Sequence, residues 1–568
     1  MADEVAGKAQ VSSELQLASD LADKALDNSS NTKEAADSLR NGAPEDDEVE
    51  ADGEEEDEDD EQAAEGGAEV GADGIAKPKK KKKSKKKKKK KAVGDSDAKA
   101  ASTGTMQKPV AVNDIPALLQ QLALSQPKKE GKAPEDYKFW NTQPVPKFKE
   151  PNLLQTTNGS SGEALPEGAI LPDEVCRKAA KPEPEQLLGG FEWCLVDLED
   201  EAELQELYEI LYNHYVEDTD GNFRFDYSKK FLAWALKPPG WKKDWHIGVR
   251  TASTEDGKKG KLVAFIAGTP ATLKVRSNTI KIVEINFLTI HHKLRSKRLA
   301  PVLIKEVTRR CYLNGIYQAL YTAGTLLPTP VTTSRYYHRS LDWQHLYKNG
   351  FSHLPQGGSE IRQKYKYRLD SQTTTKGLRP MKKSDLPAVK DLLARYLERF
   401  SIRQSFDEAE LEHWLCSDAS KDVVWAFVVE QDGKITDFMS YYVLESTVLK
   451  QASTIRAAYL YYYASESAFA TPGQPKPKAA VLQSQLQTRL QTLMHDILIL
   501  AKKDNFHVFN ALTILDNPLF LGENKFEPGD GKLHFYLFNW RTAVVQGGVN
   551  DRFVVDEGKM GGVGVVML

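Results

Sequence analysis

The chain has 568 residues, 40% hydrophobic, with 9 tryptophans and a formal net charge of −4. That length allows two or more domains with a real core. Four cysteines, Cys176, Cys194, Cys311 and Cys416, form no CxxC pair, which excludes a disulfide framework or a cysteine-based zinc site. No apolar run approaches the ~18 residues of a membrane helix, and Met-Ala-Asp-Glu is not a signal peptide, so a cytoplasmic protein is expected.

Residues 1–110 nearly lack aromatics and read as a disordered tail. The tail is charge-segregated: Glu45 to Glu61 is acidic at nearly every position, and Lys79–Lys83 and Lys85–Lys91 are lysine runs broken by Ser84. These are either solvated blocks or a basic arm for a ribosome or an anionic surface. Without interleaved aromatics the runs offer no sequence-specific readout of nucleic acid. A short helix is expected around Ile115–Ala123, then the aromatic cluster Tyr137-Lys138-Phe139-Trp140, then an extended loop over 152–190.

Denser structure starts at Phe191. Trp193–Val196 reads as a strand and Asp200–Tyr215 as a helix, with Leu204, Leu207, Ile210 and Leu211 on one face. Tyr215–Tyr227 reads as a loop with aromatics at alternating positions. His246–Arg250 and Lys261–Thr269 read as paired strands, followed by strand Ile280–Ile290, helix Leu299–Asn314 and strand Tyr317–Tyr321. A similar order then follows: helix Asp385–Phe400, a hairpin of Val423–Glu430 and Ile435–Val443, strand Ala457–Tyr463, helix Val481–Lys503 and strand Val508–Leu512. The order suggests two α/β units with mixed sheets, over 111–370 and 371–568.

The segment from Glu284 to Pro301 carries the most chemistry. A strand ends, the cations Lys293, Arg295, Lys297 and Arg298 follow, and Pro301 falls in the first turn of a helix. A cationic loop at a helix N-terminus suits a phosphate-bearing ligand, and amides at a strand end can hold an oxyanion. A charged surface loop fits the same layout. Asn286 and Thr289, polar among apolar neighbours, need partners if buried. The pair His291-His292 has no carboxylate or cysteine at ligand spacing, which argues against a metal. His338, among Arg335, Tyr336, Tyr337 and Arg339, is more often structural than catalytic in such a setting. The apolar end Gly561–Leu568 suggests burial of the α-carboxylate, or else a short edge strand with that group in water.

The string EINFLTIHHKLRSKRLAPVLIKEVTRR resembles the acyl-CoA segment of the N-myristoyltransferase (glycylpeptide N-tetradecanoyltransferase) family. Thr289 stands where that family has Cys, and His292 where it usually has Lys. YKFWNTQPVPK, YVEDTDGNFRFDYS, YTAGTLLPTPV, RYYHRSLDW and KFEPGDGKLHFYLFNW resemble further family blocks in family order, with Glu527 in place of Gly. The resemblance implies two tandem GNAT-like acyltransferase units related by pseudo-twofold symmetry. It implies myristoyl-CoA as acyl-donor substrate, no metal or tightly bound cofactor, proteins with an N-terminal glycine as partners, and a monomer.

It also implies site residues. The acyl-CoA site falls on Tyr137, Lys138, Phe139, Trp140, Phe287, Leu288, Thr289, Ile290, Arg295, Ser296, Lys297, Arg298, Leu299 and Ala300. The peptide site falls on Tyr215, Val216, Asp218, Asp220, Phe223, Phe225, Tyr227, Tyr336, His338 and Ser446. The reaction falls on the backbone amides of Phe287 and Leu288, on Asn286 and Thr322, and on the terminal carboxylate of Leu568 as base. Two other expectations stay open: a short-chain acyl-CoA N-acetyltransferase of the same superfamily, and a non-enzymatic ribosome or RNA adaptor.

Overall fold

A computed structural model describes residues 137–147, 167–218, 221–253, 258–470, 473 and 475–568. The charged tail, the helix expected at Ile115–Ala123 and Asp220 lie outside them. The strands are β1 (Phe191–Leu195), β2 (Phe223–Asp226), β3 (His246–Thr251), β4 (Leu262–Val275), β5 (Asn278–Ile290), β6 (Ala319–Ala323) and β7 (Thr332–Ser340). They continue as β8 (Leu378–Pro380), β9 (Ile402–Ser405), β10 (Val424–Gln431), β11 (Lys434–Val448), β12 (Ser453–Ser465), β13 (Val508–Leu512), β14 (Glu527–Phe538) and β15 (Val563–Gly564). All join one mixed sheet, in the order β1-β3-β4-β5-β6-β14-β7-β13-β12-β11-β10-β8, with β2 on β11, β9 on β4 and β15 on β9. The architecture is mixed α/β. Among the described residues no helix is long and apolar enough to cross a membrane.

Strand β14, late in the chain, inserts between β6 and β7. Strand β9 crosses to β4, pairing Ile402 with Val275 through Ser405 with Thr272. Residues distant in sequence therefore share one sheet, and β15, parallel to β9, is carried inward with it.

Most expected elements occur within a few residues of their expected bounds. The hairpin closes on Asp432 and Gly433, both at positive φ (48° and 74°), which matches the right-handed strand twist. Two stretches differ. The region expected as extended loop contains the helix Asp173–Ala179, although residues 148–166 lie outside the described ones. The loop Tyr215–Tyr227 contains β2, whose alternating aromatics follow from pairing with β11, Phe225 facing Ser446.

Two helices position the site. Helix Glu201–His214 starts on Asp200, whose carboxylate accepts from the amide of Ala202 at 2.8 Å. It buries Leu204, Leu207, Ile210 and Leu211 and ends at His214. Helix Leu299–Leu313 packs Ala300, Leu303 and Val307 on Trp245, Ile247, Ala264, Ile266 and Val283 of the β3–β5 face. Burying each such aliphatic side chain contributes about 1.5–3 kcal/mol. That packing fixes the helix N-terminus beside the end of β5.

Candidate active site

Strand β5 pairs with β6 in parallel only from Val283↔Ala319 to Ile285↔Tyr321. Just past that point β5 also bulges against β4: Phe265 faces Thr289 and Ala267 faces Asn286, so Phe287 and Leu288 together oppose Ile266. A bulge leaves one extra residue outside the regular ladder and re-aims the backbone. Phe287 takes φ +57°, a left-handed conformation uncommon for an aromatic residue. Its ring is 2% exposed and packs on Tyr215 and Tyr227, with centroids 5.7 and 5.4 Å away. That packing holds the strained backbone, as strain at functional sites requires. The β5–β6 ladder thus ends just before Asn286–Leu288 on β5 and Thr322 on β6.

The loop after β5 is shaped for an anion. Ser296 and Arg298 both sit at φ +58°, and alternating left-handed residues turn successive N–H groups toward one concavity. Arg298 is the N-cap of helix Leu299–Leu313, whose first turn no side chain caps. The helix therefore presents unsatisfied donors and a positive dipole end. Lys293 and Lys297 are exposed and form no ion pair among the described residues. Arg295 spends part of its donor set on the His214 carbonyl, at 2.7 Å.

The aromatic cluster near residue 140 reaches the end of the β5–β6 ladder through stacking. Trp140 lies 5.5 Å from Tyr321, and Tyr321 lies 5.0 Å from Tyr536, all near parallel. Tyr321 is the β6 partner of Ile285. Phe139 packs edge-on against Trp140, and the Tyr137 hydroxyl donates to the Leu326 carbonyl at 3.1 Å.

The residues expected to meet a peptide fall into local clusters. The Asp218 carboxylate accepts from the amides of Asn222 and Phe223, both at 2.6 Å, so it shapes the loop as well as charging it. The Val216 carbonyl accepts from Phe225 at 3.2 Å. Phe225 and Tyr227 pack on each other, and Phe223 packs edge-on against Phe351. Tyr336 and His338 lie on β7, opposite Leu512 and Asn510. His338 Nδ1 donates to Asn510 Oδ1 at 2.7 Å, which orients the ring, and burial lowers its pKa by disfavouring the charged form.

The chain end runs inward. Val563, Val565, Val566 and Met567 are buried and Leu568 is half-buried against the main core. Gly562 accepts from the Ile402 amide at 2.8 Å. The Tyr462 hydroxyl donates to Gln404 Oε1 at 3.0 Å and accepts from the Val566 amide at 3.0 Å. Val566 and Met567 line a cavity with Tyr336, Tyr442, Tyr459 and Tyr461.

Two residues gained no role from sequence. Glu284 is quoted in the β5 string, but its setting was invisible. Asn286 Nδ2 donates to it at 2.7 Å, and the rings of Tyr442, Tyr461 and Tyr462 feel its charge. Desolvation pushes this carboxyl up to about 7, against the smaller opposite pull of Asn286. The unfolded value is ~4.3, so between these values the native state holds a proton that the unfolded chain has lost. Stability from this group is full at low pH and falls as pH rises toward 7. The span is about 4 kcal/mol. Glu284→Gln keeps an acceptor for Asn286 and removes the dependence. Its urea midpoint should match wild type near about pH 4 and exceed it near about pH 8; a constant difference between the two curves refutes this.

The second residue is His214. Its ring lies 4.1 Å from His291 and 4.8 Å from His292 between centroids. Burial, then its histidine neighbours, push its pKa down to about 3. Thr289 donates to the His214 carbonyl at 3.2 Å, which supplies the partner that a buried threonine needs.

Comparison with known proteins places this geometry. Residues 171–334 match the family model described as myristoyl-CoA:protein N-myristoyltransferase, N-terminal domain, and residues 348–566 match its C-terminal counterpart. A glycylpeptide N-tetradecanoyltransferase of Aspergillus fumigatus is 54% identical over 462 residues, covering 80% of this chain and 88% of that protein. Its Saccharomyces cerevisiae namesake is 46% identical over 448 residues, covering 77% and 93%. A crystal structure of the S. cerevisiae N-myristoyltransferase with bound myristoyl-CoA superposes with a TM-score of 0.70 at 45% identity, covering 77% of this chain and 100% of that one.

Proposed function

We propose an activity for this chain from one premise: it belongs to the myristoyl-CoA:protein N-myristoyltransferase family. It transfers a tetradecanoyl group from myristoyl-CoA to the N-terminal glycine amine of proteins. The observation that carries the mechanism is the bulge at Phe287–Leu288, set where the β6 ladder stops and beside an uncapped helix end.

In this reading the diphosphate of CoA lies on the loop of Arg295, Ser296, Lys297 and Arg298 and on the first helical turn at Leu299 and Ala300. Tyr137, Lys138, Phe139 and Trp140 flank the cofactor from the other side, with Thr289 and Ile290 along the strand end. The thioester carbonyl points at the amides of Phe287 and Leu288. Each such donor is typically worth about 2.7–4 kcal/mol in the transition state. The halves 111–370 and 371–568 divide the work, the first holding the cofactor and the second adding Ser446 to the peptide groove and carrying the chain-end carboxylate. The peptide runs past Tyr215, Val216, Asp218, Asp220, Phe223, Phe225 and Tyr227, with Tyr336, His338 and Ser446 along the groove.

The amine attacks the thioester carbon directly. Carbon–nitrogen bond formation gives a tetrahedral oxyanion; its collapse breaks the carbon–sulfur bond, and the nitrogen's second proton leaves with the sulfur, which departs as CoA thiol. The amine must first lose a proton, and the Leu568 carboxylate takes it, with Asn286 and Thr322 orienting the nitrogen. In water the two groups differ by roughly four pKa units, about 5–6 kcal/mol against transfer. Burial narrows the gap because it disfavours both charged forms. The inward course of Val563–Met567 supports a base inside the protein. The enzyme works as a cytoplasmic monomer, and its lysine runs give a non-specific contact to ribosomes or another anionic surface.

Full-length protein given myristoyl-CoA and peptides differing only at the first residue tests the reading. A Gly peptide should be acylated and an Ala peptide at least about 100-fold slower, since a closed pocket around Cα rejects a Cβ. Acetyl-CoA should be a poor donor. Equal use of Gly and Ala, or preference for acetyl-CoA, would refute it.

A further inference from the structure

All 11 histidines of the chain fall among the described residues. Three of them, His214, His291 and His292, bring one ring nitrogen each to within 4.8 Å of one another. No other such group of His, Cys, Asp and Glu occurs among the described residues. We infer that these three imidazoles form a binding site for one divalent transition-metal ion of the zinc class, at the junction of the cofactor loop and the peptide loop.

The geometry favours a metal over a stacked cluster. His214 Nδ1 and His292 Nδ1 are 3.0 Å apart. At that distance one nitrogen donates and the other offers a lone pair, so at least one ring is unprotonated at the face it turns inward. Imidazole nitrogens bind zinc at about 2.0–2.1 Å, and tetrahedral angles then place them about 3.3 Å from each other. His292 is exposed and free to turn the remaining distance, whereas His214 is fixed at a packed helix end. His291 accepts from the Lys293 amide at 3.3 Å through Nδ1, which leaves Nε2 for a metal.

Donor chemistry narrows the ion. Three imidazoles without a carboxylate suit Zn2+, Cu2+ or Ni2+ and disfavour Ca2+ and Mg2+. Lys261, Lys293 and Arg295 stand close by. Their charge opposes a hard cation held by electrostatics alone. A fourth position remains for water. The alternative occupant is a phosphate oxygen, which Lys261, Lys293 and Arg295 would favour; against it stands the lone pair between His214 and His292, which repels an anion and attracts a metal.

The position gives the site a consequence. His214 directly precedes Tyr215, whose ring packs on Phe287. His291 and His292 directly follow Ile290, the last residue of β5. A metal here ties the peptide loop to the strand that carries the bulge.

Untagged full-length protein titrated with Zn2+ alone, by calorimetry, tests this. The expected result is one ion per chain, with affinity at least about tenfold weaker in His292→Gln, because loss of a ligand exceeds loss of an outer-shell partner. Zn2+ should raise the melting temperature of wild type more than that of the variant. His345→Gln, from the stacked His345–His507 pair, should bind as wild type does. Unfolding of His292→Gln is not at issue for an exposed ring, and circular dichroism verifies it. Equal binding by wild type and His292→Gln, equal loss in His345→Gln, or saturable binding of inorganic phosphate in place of Zn2+ would each overturn the site.

Discussion

One residue added after Leu568 is expected to lower kcat by about 10²- to 10⁴-fold, the usual worth of a positioned general base, while myristoyl-CoA affinity changes little. The extra residue moves the carboxylate by up to about 3.6 Å. The preceding segment cannot follow it, because the Val566 amide is held by Tyr462 and the Gly562 carbonyl by Ile402. The loop proposed to hold the cofactor lies on other elements, so cofactor binding is the internal control. Single-turnover acylation and a separate acyl-CoA titration distinguish the two. A kcat within a few-fold of wild type would remove the chain end from the mechanism and leave the oxyanion donors standing.

Gly562→Ala should produce the second large effect, on stability and turnover together. A Cβ at this position would lie 1.9 Å from the Gln546 carbonyl oxygen and 2.6 Å from its amide nitrogen. Both are backbone atoms, so neither swings aside. Overpacking of this kind costs about 1–3 kcal/mol. The relief route is outward movement of the final segment, and a misplacement of about 1 Å in a catalytic array can cost about 10²-fold in rate. Gly189→Ala, where an added Cβ meets nothing within 4 Å, is the matched control and should be neutral. Denaturant melts and kcat at saturating substrates check both variants; a stable and fully active Gly562→Ala enzyme would mean that the tail can yield without leaving its place.

The sequence made some of this structure readable and hid the rest for physical reasons. Strands such as β4, β5 and β13 were readable because apolar residues mark their buried faces. The hairpin at Asp432-Gly433 announced itself through residues that tolerate positive φ. Strand β7 is hard to read because most of its buried positions are polar, and β14 because its first half, Glu527–Lys532, has the composition of a turn. Arg339 is 2% exposed yet donates to the carbonyls of Asn524 and Tyr367. Thr333 and His534 satisfy each other across the same pair of strands at 2.8 Å. A hydropathy pattern cannot register partners that only the sheet supplies.

The site divides in the same way. Its cationic loop is contiguous in sequence and could be located. Its bulge could not, since no glycine marks the positive φ at Phe287, which is imposed by packing from Tyr215 and Tyr227. The histidine pair looked unsuited to a metal because the third ring arrives from the end of a helix 77 residues before His291 (291 − 214).

The parallel ladder from Val283 to Ile285 is far shorter than the antiparallel one from Ala264 to Val275 on the other side of β5. In the strand order every ladder route from the β1 edge to the β8 edge crosses it, since β9 and β15 form a side branch on β4. A sheet stitched so briefly at its middle behaves as two wings about a seam. A molecule bound where that ladder ends would touch both wings and act as a keystone. Part of what holds such a guest in place is the cohesion it lends to its host, so occupancy and rigidity rise together.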